Sequence, residues 1–130
     1  MTSVLNVDTI ADKAGTGPVG LTKQIATKAW TNFNGSGTLA VEDSFNVASV
    51  TDNGTGNYTP SATNSMSNTG YAFTLDGREQ SGGYGAFIGL NDSDNQTTSG
   101  FQIRCRNGSV DDGTSGDRAL VVASYLGDLA

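Results

Sequence analysis

The sequence predicts an all-β protein: an antiparallel β-sandwich or jelly roll preceded by an extended N-terminal arm. Short apolar–polar alternations recur along the chain, while helical periodicity is nearly absent. Asn-Gly and Asp-Gly pairs punctuate these runs at Asn34-Gly35, Asn53-Gly54, Asp76-Gly77, Asn107-Gly108 and Asp112-Gly113. Such pairs tolerate positive φ and are strong hairpin signals. Gly, Thr, Ser and Asn together supply 58 of 130 residues, a composition that disfavours helix interiors.

Taken in order, the first apolar run spans Val4 to Ile10. The turn-rich stretch from Asp12 to Gly20, nearly devoid of core-forming side chains, separates it from the rest. Residues 1–27 therefore read as an arm and residues 28–130 as the sandwich domain. Val4, Leu5, Val7 and Ile10 are too apolar for a solvated tail and are the candidates for anchoring the arm to a partner by strand addition. In the next run, Lys28 to Phe33, the register puts Ala29, Thr31 and Phe33 on the inner face and Trp30 outward with Lys28 and Asn32. Thr38–Val41, Ser44–Val50 and Asn57–Thr59 follow as extended runs. Tyr71, Phe73 and Leu75 share one face, with Ala72 and Thr74 on the other. After Tyr84–Leu90, Phe101, Ile103 and Cys105 point inward, while Gln102, Arg104 and Arg106 point to water, the pattern of a half-buried antiparallel strand. The last extended run begins at Arg118, and its stretch from Ala119 to Leu126 is apolar on both faces. It is either a central strand or one whose outer face meets another subunit. Trp30 and Tyr125 are the subunit-interface candidates, with core packing the competing reading for Trp30.

Composition removes several function classes. Without histidine the chain cannot hold a Ser-His-Asp or Cys-His unit of its own. A lone cysteine, Cys105, excludes an intrachain disulfide and a Cys-cluster zinc site, and its inward register marks a buried structural thiol. The oxygen-rich stretch Asn91 to Gln96 fails EF-hand spacing, because Thr97 stands where glycine is needed, and reads as a solvated loop. Asp111, Asp112 and Asp117 read the same way. Glu42 with Asp43, and Asp76 near Glu79, carry no sign of convergence as acid/base pairs, so no catalytic residue, metal site or cofactor is assigned. Gly82-Gly83-Tyr84-Gly85 lacks the ending of a phosphate loop. A net charge of −6 argues against a nucleic-acid binder, and the absence of a long apolar run argues against a membrane helix. No signal peptide is evident at Met1–Asn6. With only 35% hydrophobic residues, the core is thin and a partner subunit is expected to add burial.

The segment Lys28-Ala29-Trp30-Thr31-Asn32-Phe33-Asn34-Gly35-Ser36-Gly37-Thr38 resembles the K-A-W-x-N-F-x-G-x-G-T opening of β-rich fibre-type domains in tailed-bacteriophage virion accessory proteins, notably of cyanophages and marine phages. The continuation from Asp43 to Thr59 is similar to their strand S-[FY]-N-V-x-S-[IV]-x-D followed by N-G-T-G-x-Y-T. The start, Ser3 to Asp12, also resembles their N-terminal segments, so the likeness covers about the first 60 residues. It implies a non-enzymatic virion component on the particle exterior and, as is usual in such assemblies, a homotrimer. The length suits an arm plus one domain: a capsid decoration or cement protein bound to the major capsid protein or another virion protein. The alternative is a short tail fibre or receptor-binding domain that recognises host surface glycan.

Overall fold

In a computed structural model, described for residues 26–78, 86–91, 96–107 and 114–130, the chain forms eight β-strands. They are β1 (Thr27–Asn34), β2 (Ala40–Phe45), β3 (Val47–Asp52), β4 (Asn57–Ala62), β5 (Ala72–Gly77), β6 (Ala86–Leu90), β7 (Ile103–Asn107) and β8 (Val121–Leu126). Two antiparallel four-stranded sheets result, with strand orders β2-β1-β8-β5 and β3-β4-β7-β6. The first strand pairs with the last in the middle of one sheet, and β4 pairs with β7 in the middle of the other. The sheets form a β-sandwich in which β8 lies between β1 and β5, and β7 between β4 and β6; the β2–β7, β3–β6 and β4–β5 pairs of a jelly roll are not among these pairings.

Alternation decides what each strand buries. Ala29, Thr31 and Phe33 of β1, and Val121, Ala123 and Tyr125 of β8, are buried from the first sheet. Tyr58, Pro60 and Ala62 of β4, with Ile103 and Cys105 of β7, are buried from the second. An aromatic cluster fills one end of the core: Phe101 lies 4.7 Å from Phe73 and 4.8 Å from Tyr125, and Tyr125 stacks on Tyr71 at 5.6 Å between ring centroids. Such pairs add roughly 0.5–1.5 kcal/mol each beyond area burial. The Tyr125 hydroxyl donates to the Pro60 carbonyl at 2.8 Å, linking the two sheets through the core. Pro60 is tolerated in an inner strand because the β4–β7 ladder covers only Asn57 and Tyr58 before resuming as the Ser61–Gly100 bridge, so the missing N–H falls in the gap.

The stretch from Phe33 to Gly35 and the start of β4 meet in space. Phe33 and Tyr58 form an edge-to-face pair at 5.1 Å, and the Tyr58 hydroxyl shares its one hydrogen between the Asp117 carboxylate, with Oδ1 at 2.8 Å, and the Gly35 carbonyl at 2.9 Å. A Cβ on Gly35 would fall onto that hydroxyl. Gly56, at φ +65, donates its N–H to Asp117 Oδ1 and accepts from Cys105 N. Asp117, expected in a solvated loop, thus ties β4 to the approach to β8. Arg118 is buried beside it and donates to the Arg106 carbonyl at 2.7 Å.

A single residue, Asn46, carries the chain from the first sheet to the second. It has φ 54, a left-handed conformation that Asn accepts more readily than most residues. Its amide donates to the Lys28 carbonyl, and its Oδ1 accepts from Asn64 N, both at 2.9 Å. Asp76-Gly77, expected as a turn, instead closes β5: Gly77 pairs with Val121, and a Cβ there would fall onto Ile88.

Candidate functional site

The outer faces of the two sheets differ. Antiparallel sandwiches ordinarily show polar residues outward. Strands β3, β4 and β7 of the second sheet obey, with Ser49, Thr51, Asn57, Thr59, Ser61 and Arg104 on the outer face. On the first sheet, cross-strand register aligns Phe45, Trp30, Ser124 and Thr74 in one row. The row on one side runs Asp43, Asn32, Val122 and Asp76, and on the other Leu126 pairs with Ala72. Phe45 is 56% exposed, while Trp30, Val122 and Leu126 are half-buried. The result is an apolar strip across the middle of a sheet face, with acidic residues along one flank and a hydroxyl pair, Thr74 with Ser124, bonded within it.

Trp30 therefore stands where its register placed it, outward with Lys28 and Asn32. Tyr125 does not. It is fully buried between the sheets, its ring packed on Tyr71 and Phe101, and it cannot contribute to a subunit surface. The outward residues of β8 are Val122, Ser124 and Leu126, because β8 is a central strand whose odd-numbered residues point to the core. The alternation of β8 carried this distinction, and the bulk of Tyr125 obscured it. Phe45 is the residue that sequence reasoning missed. Read as one run, Ser44–Val50 puts Phe45 and Val47 on the same face. The corner at Asn46 places Phe45 on the outside of one sheet and Val47 against the core of the other.

The arm candidates Val4, Leu5, Val7 and Ile10 lie outside the described residues, as do Glu79, residues 82–85, 92–95 and 108–113. At the described edge of the oxygen-rich loop, Asn91 donates to Gln102 and accepts from Arg104, and Gln96 donates to the Tyr71 carbonyl at 3.0 Å. Among the described residues no group of three His, Cys, Asp or Glu side chains could hold a metal ion. No helix among them is long and apolar enough to cross a membrane. Cys105 is buried, and that burial pushes its thiol up to about 11, leaving it protonated at neutral pH. Burial likewise pushes Tyr71 up to about 12 and raises Tyr58 and Tyr125.

Where the Leu126–Ala72 pair ends the sheet, a groove of about 460 Å³ opens between the loop before β5 and the segment after β8. Ser67, Asn68 and Asp128 form its polar walls, with Tyr71, Leu126 and Gly127 below. The Ser67 N–H donates to the Asp128 carbonyl at 2.8 Å and ties the walls together. Compared with known protein families, curated proteins and solved structures, the chain matches none.

Proposed function

We propose that this chain is a non-enzymatic structural protein of a tailed-phage virion: a homotrimeric capsid decoration or cement protein on the particle exterior. The N-terminal arm, through Val4, Leu5, Val7 and Ile10, grips the major capsid protein or a neighbouring virion protein. The sandwich trimerises through the outer face of the β2-β1-β8-β5 sheet. The observation that carries this reading is the apolar outer face of the first sheet, bearing Trp30, Phe45, Val122 and Leu126, against the polar outward residues of β3, β4 and β7. Trp and other aromatics are enriched at interface centres, where they are fully desolvated on association. The resemblance of residues 3–59 to phage virion accessory proteins supplies the particle context.

The mechanism is mechanical. Strand addition by the arm gives main-chain hydrogen bonds that are indifferent to sequence, and its apolar side chains give register. A trimer multiplies three such grips, so that weak individual contacts hold by avidity. Deleting residues 1–20 is expected to abolish binding to particles while leaving the far-ultraviolet circular dichroism of the domain unchanged. Full retention of particle binding by that truncation overturns the arm. Gold-labelled antibody against the sandwich domain is expected to decorate heads of intact particles, and labelling confined to tail tips assigns the protein to a fibre instead.

A further inference from the structure

The groove at the end of the first sheet lies at the margin of the proposed trimer face, with which it shares Leu126, and its lining has a chemistry of its own. We propose that it is a binding site for a neutral saccharide. At about 460 Å³ it falls within the roughly 300–1,000 Å³ of small-molecule sites. Asn68 and the backbone of Asp128 are held in place before any ligand arrives. Asn68 Oδ1 accepts from Gly70 N at 2.7 Å, and its amide donates one hydrogen to Ser67 Oγ at 3.3 Å. The second amide hydrogen points to no described partner. Among the described residues none donates to the Asp128 carboxylate; only the Asp128 main-chain carbonyl is held, by the Ser67 N–H.

An open carboxylate, an amide donor and a hydroxyl around an apolar floor suit adjacent hydroxyl groups on a ring with aliphatic C–H faces. The carboxylate accepts from two neighbouring hydroxyls, the Asn68 amide donates to a third, and Leu126 with Ala72 receives the C–H face. The lining contains no Lys or Arg, and Asp128 repels anions, so phosphorylated or carboxylated sugars are disfavoured. Tyr71 contributes the side of its ring rather than an open face, because it is stacked on Tyr125 and its hydroxyl donates to the Thr97 carbonyl. The floor owes its shape to Gly127: a Cβ there would come within 2.8 Å of Tyr71 Cβ, so the chain can lie flat only without a side chain.

The test is saturation-transfer NMR and titration calorimetry on the full chain, using neutral hexose and N-acetylhexosamine oligosaccharides at up to about 10 mM, above the millimolar Kd of a weak site. Binding is expected, weakened at least tenfold by Asp128→Ala and by Asn68→Asp, which retains the acceptor for Gly70 N while removing the amide donor. Trp30→Ser is expected to bind saccharide as the parent does, whatever its oligomeric state, so this proposal and the trimer are read separately. No binding by a folded chain overturns it. So does tighter binding of sialylated or phosphorylated sugars, or of a simple alkylammonium. Loss in Trp30→Ser with retention in both groove variants moves the site to the outer sheet face and also overturns it.

Discussion

At the scale of single residues, a few buried polar atoms among the described residues lack a partner, and one of them is informative. Thr31 is buried on the inner face of β1, and its hydroxyl has no partner. A buried, unpaired hydroxyl costs on the order of 1–3 kcal/mol, and valine has the same shape without it. Thr31→Val is therefore expected to stabilise the domain by about 1 kcal/mol in urea unfolding, with an unchanged m-value. Ionisable side chains set a second expectation. Cys105 rises from an ordinary value near 9 to about 11 because the folded chain buries it, so the folded state holds that proton more tightly than the unfolded state. Its contribution is complete below about pH 9 and is lost as pH climbs towards 11, on the order of 2–3 kcal/mol in all. The buried tyrosines act in the same direction above pH 10, where the unfolded chain ionises first. The chain has no histidine, the side chain whose ordinary pKa falls between pH 5 and 8. A thermal-melt series is thus expected to be flat from about pH 6 to 8 and to fall steeply above 9.

Elements were legible in the sequence wherever alternation and turn chemistry agreed. The inner set Ala29, Thr31 and Phe33, the shared face of Tyr71, Phe73 and Leu75, and the inward set Phe101, Ile103 and Cys105 all lie as their period of two requires. The corner at Asn46 was not legible, because a one-residue crossing between sheets leaves the local alternation intact and inverts only its relation to the core. For the same reason Phe45 was hidden as a surface residue, and a local pattern cannot show that Trp30 and Phe45 become cross-strand neighbours. Tyr125 was misplaced on bulk rather than parity. The corner makes its own prediction. Alanine at Asn46 must adopt the left-handed conformation, at roughly 1–2 kcal/mol, and loses the bonds to Lys28 and Asn64. Glycine loses the bonds but not the conformation. Asn46→Ala is expected to destabilise by about 2 kcal/mol or more and Asn46→Gly by distinctly less, measured by urea midpoint. Equal losses would assign the whole effect to the side-chain bonds.

For the whole molecule, a low apolar fraction and an apolar outer sheet face point the same way. The chain builds a narrow core dominated by aromatic rings, and it leaves Trp30, Phe45, Val122 and Leu126 on a surface that a solitary antiparallel sandwich would make polar. In the proposed trimer, a partner copy over that face would supply the burial that composition withholds, in the manner of obligate interfaces of more than about 2,000 Å². The acidic flank of Asp43 and Asp76 then lies at the rim, where water still reaches it, consistent with a polar border around an apolar centre. The groove beside Leu126 stays open at the margin of the same face.

Sedimentation equilibrium on the full chain tests this arrangement most directly. The parent is expected to sediment at three times its 13.3 kDa chain mass. The double variant Trp30→Ser, Phe45→Ser is expected to sediment as a single folded chain, its circular dichroism unchanged. A parent that remains at 13.3 kDa at micromolar concentration, or a double variant that remains trimeric, contradicts the account.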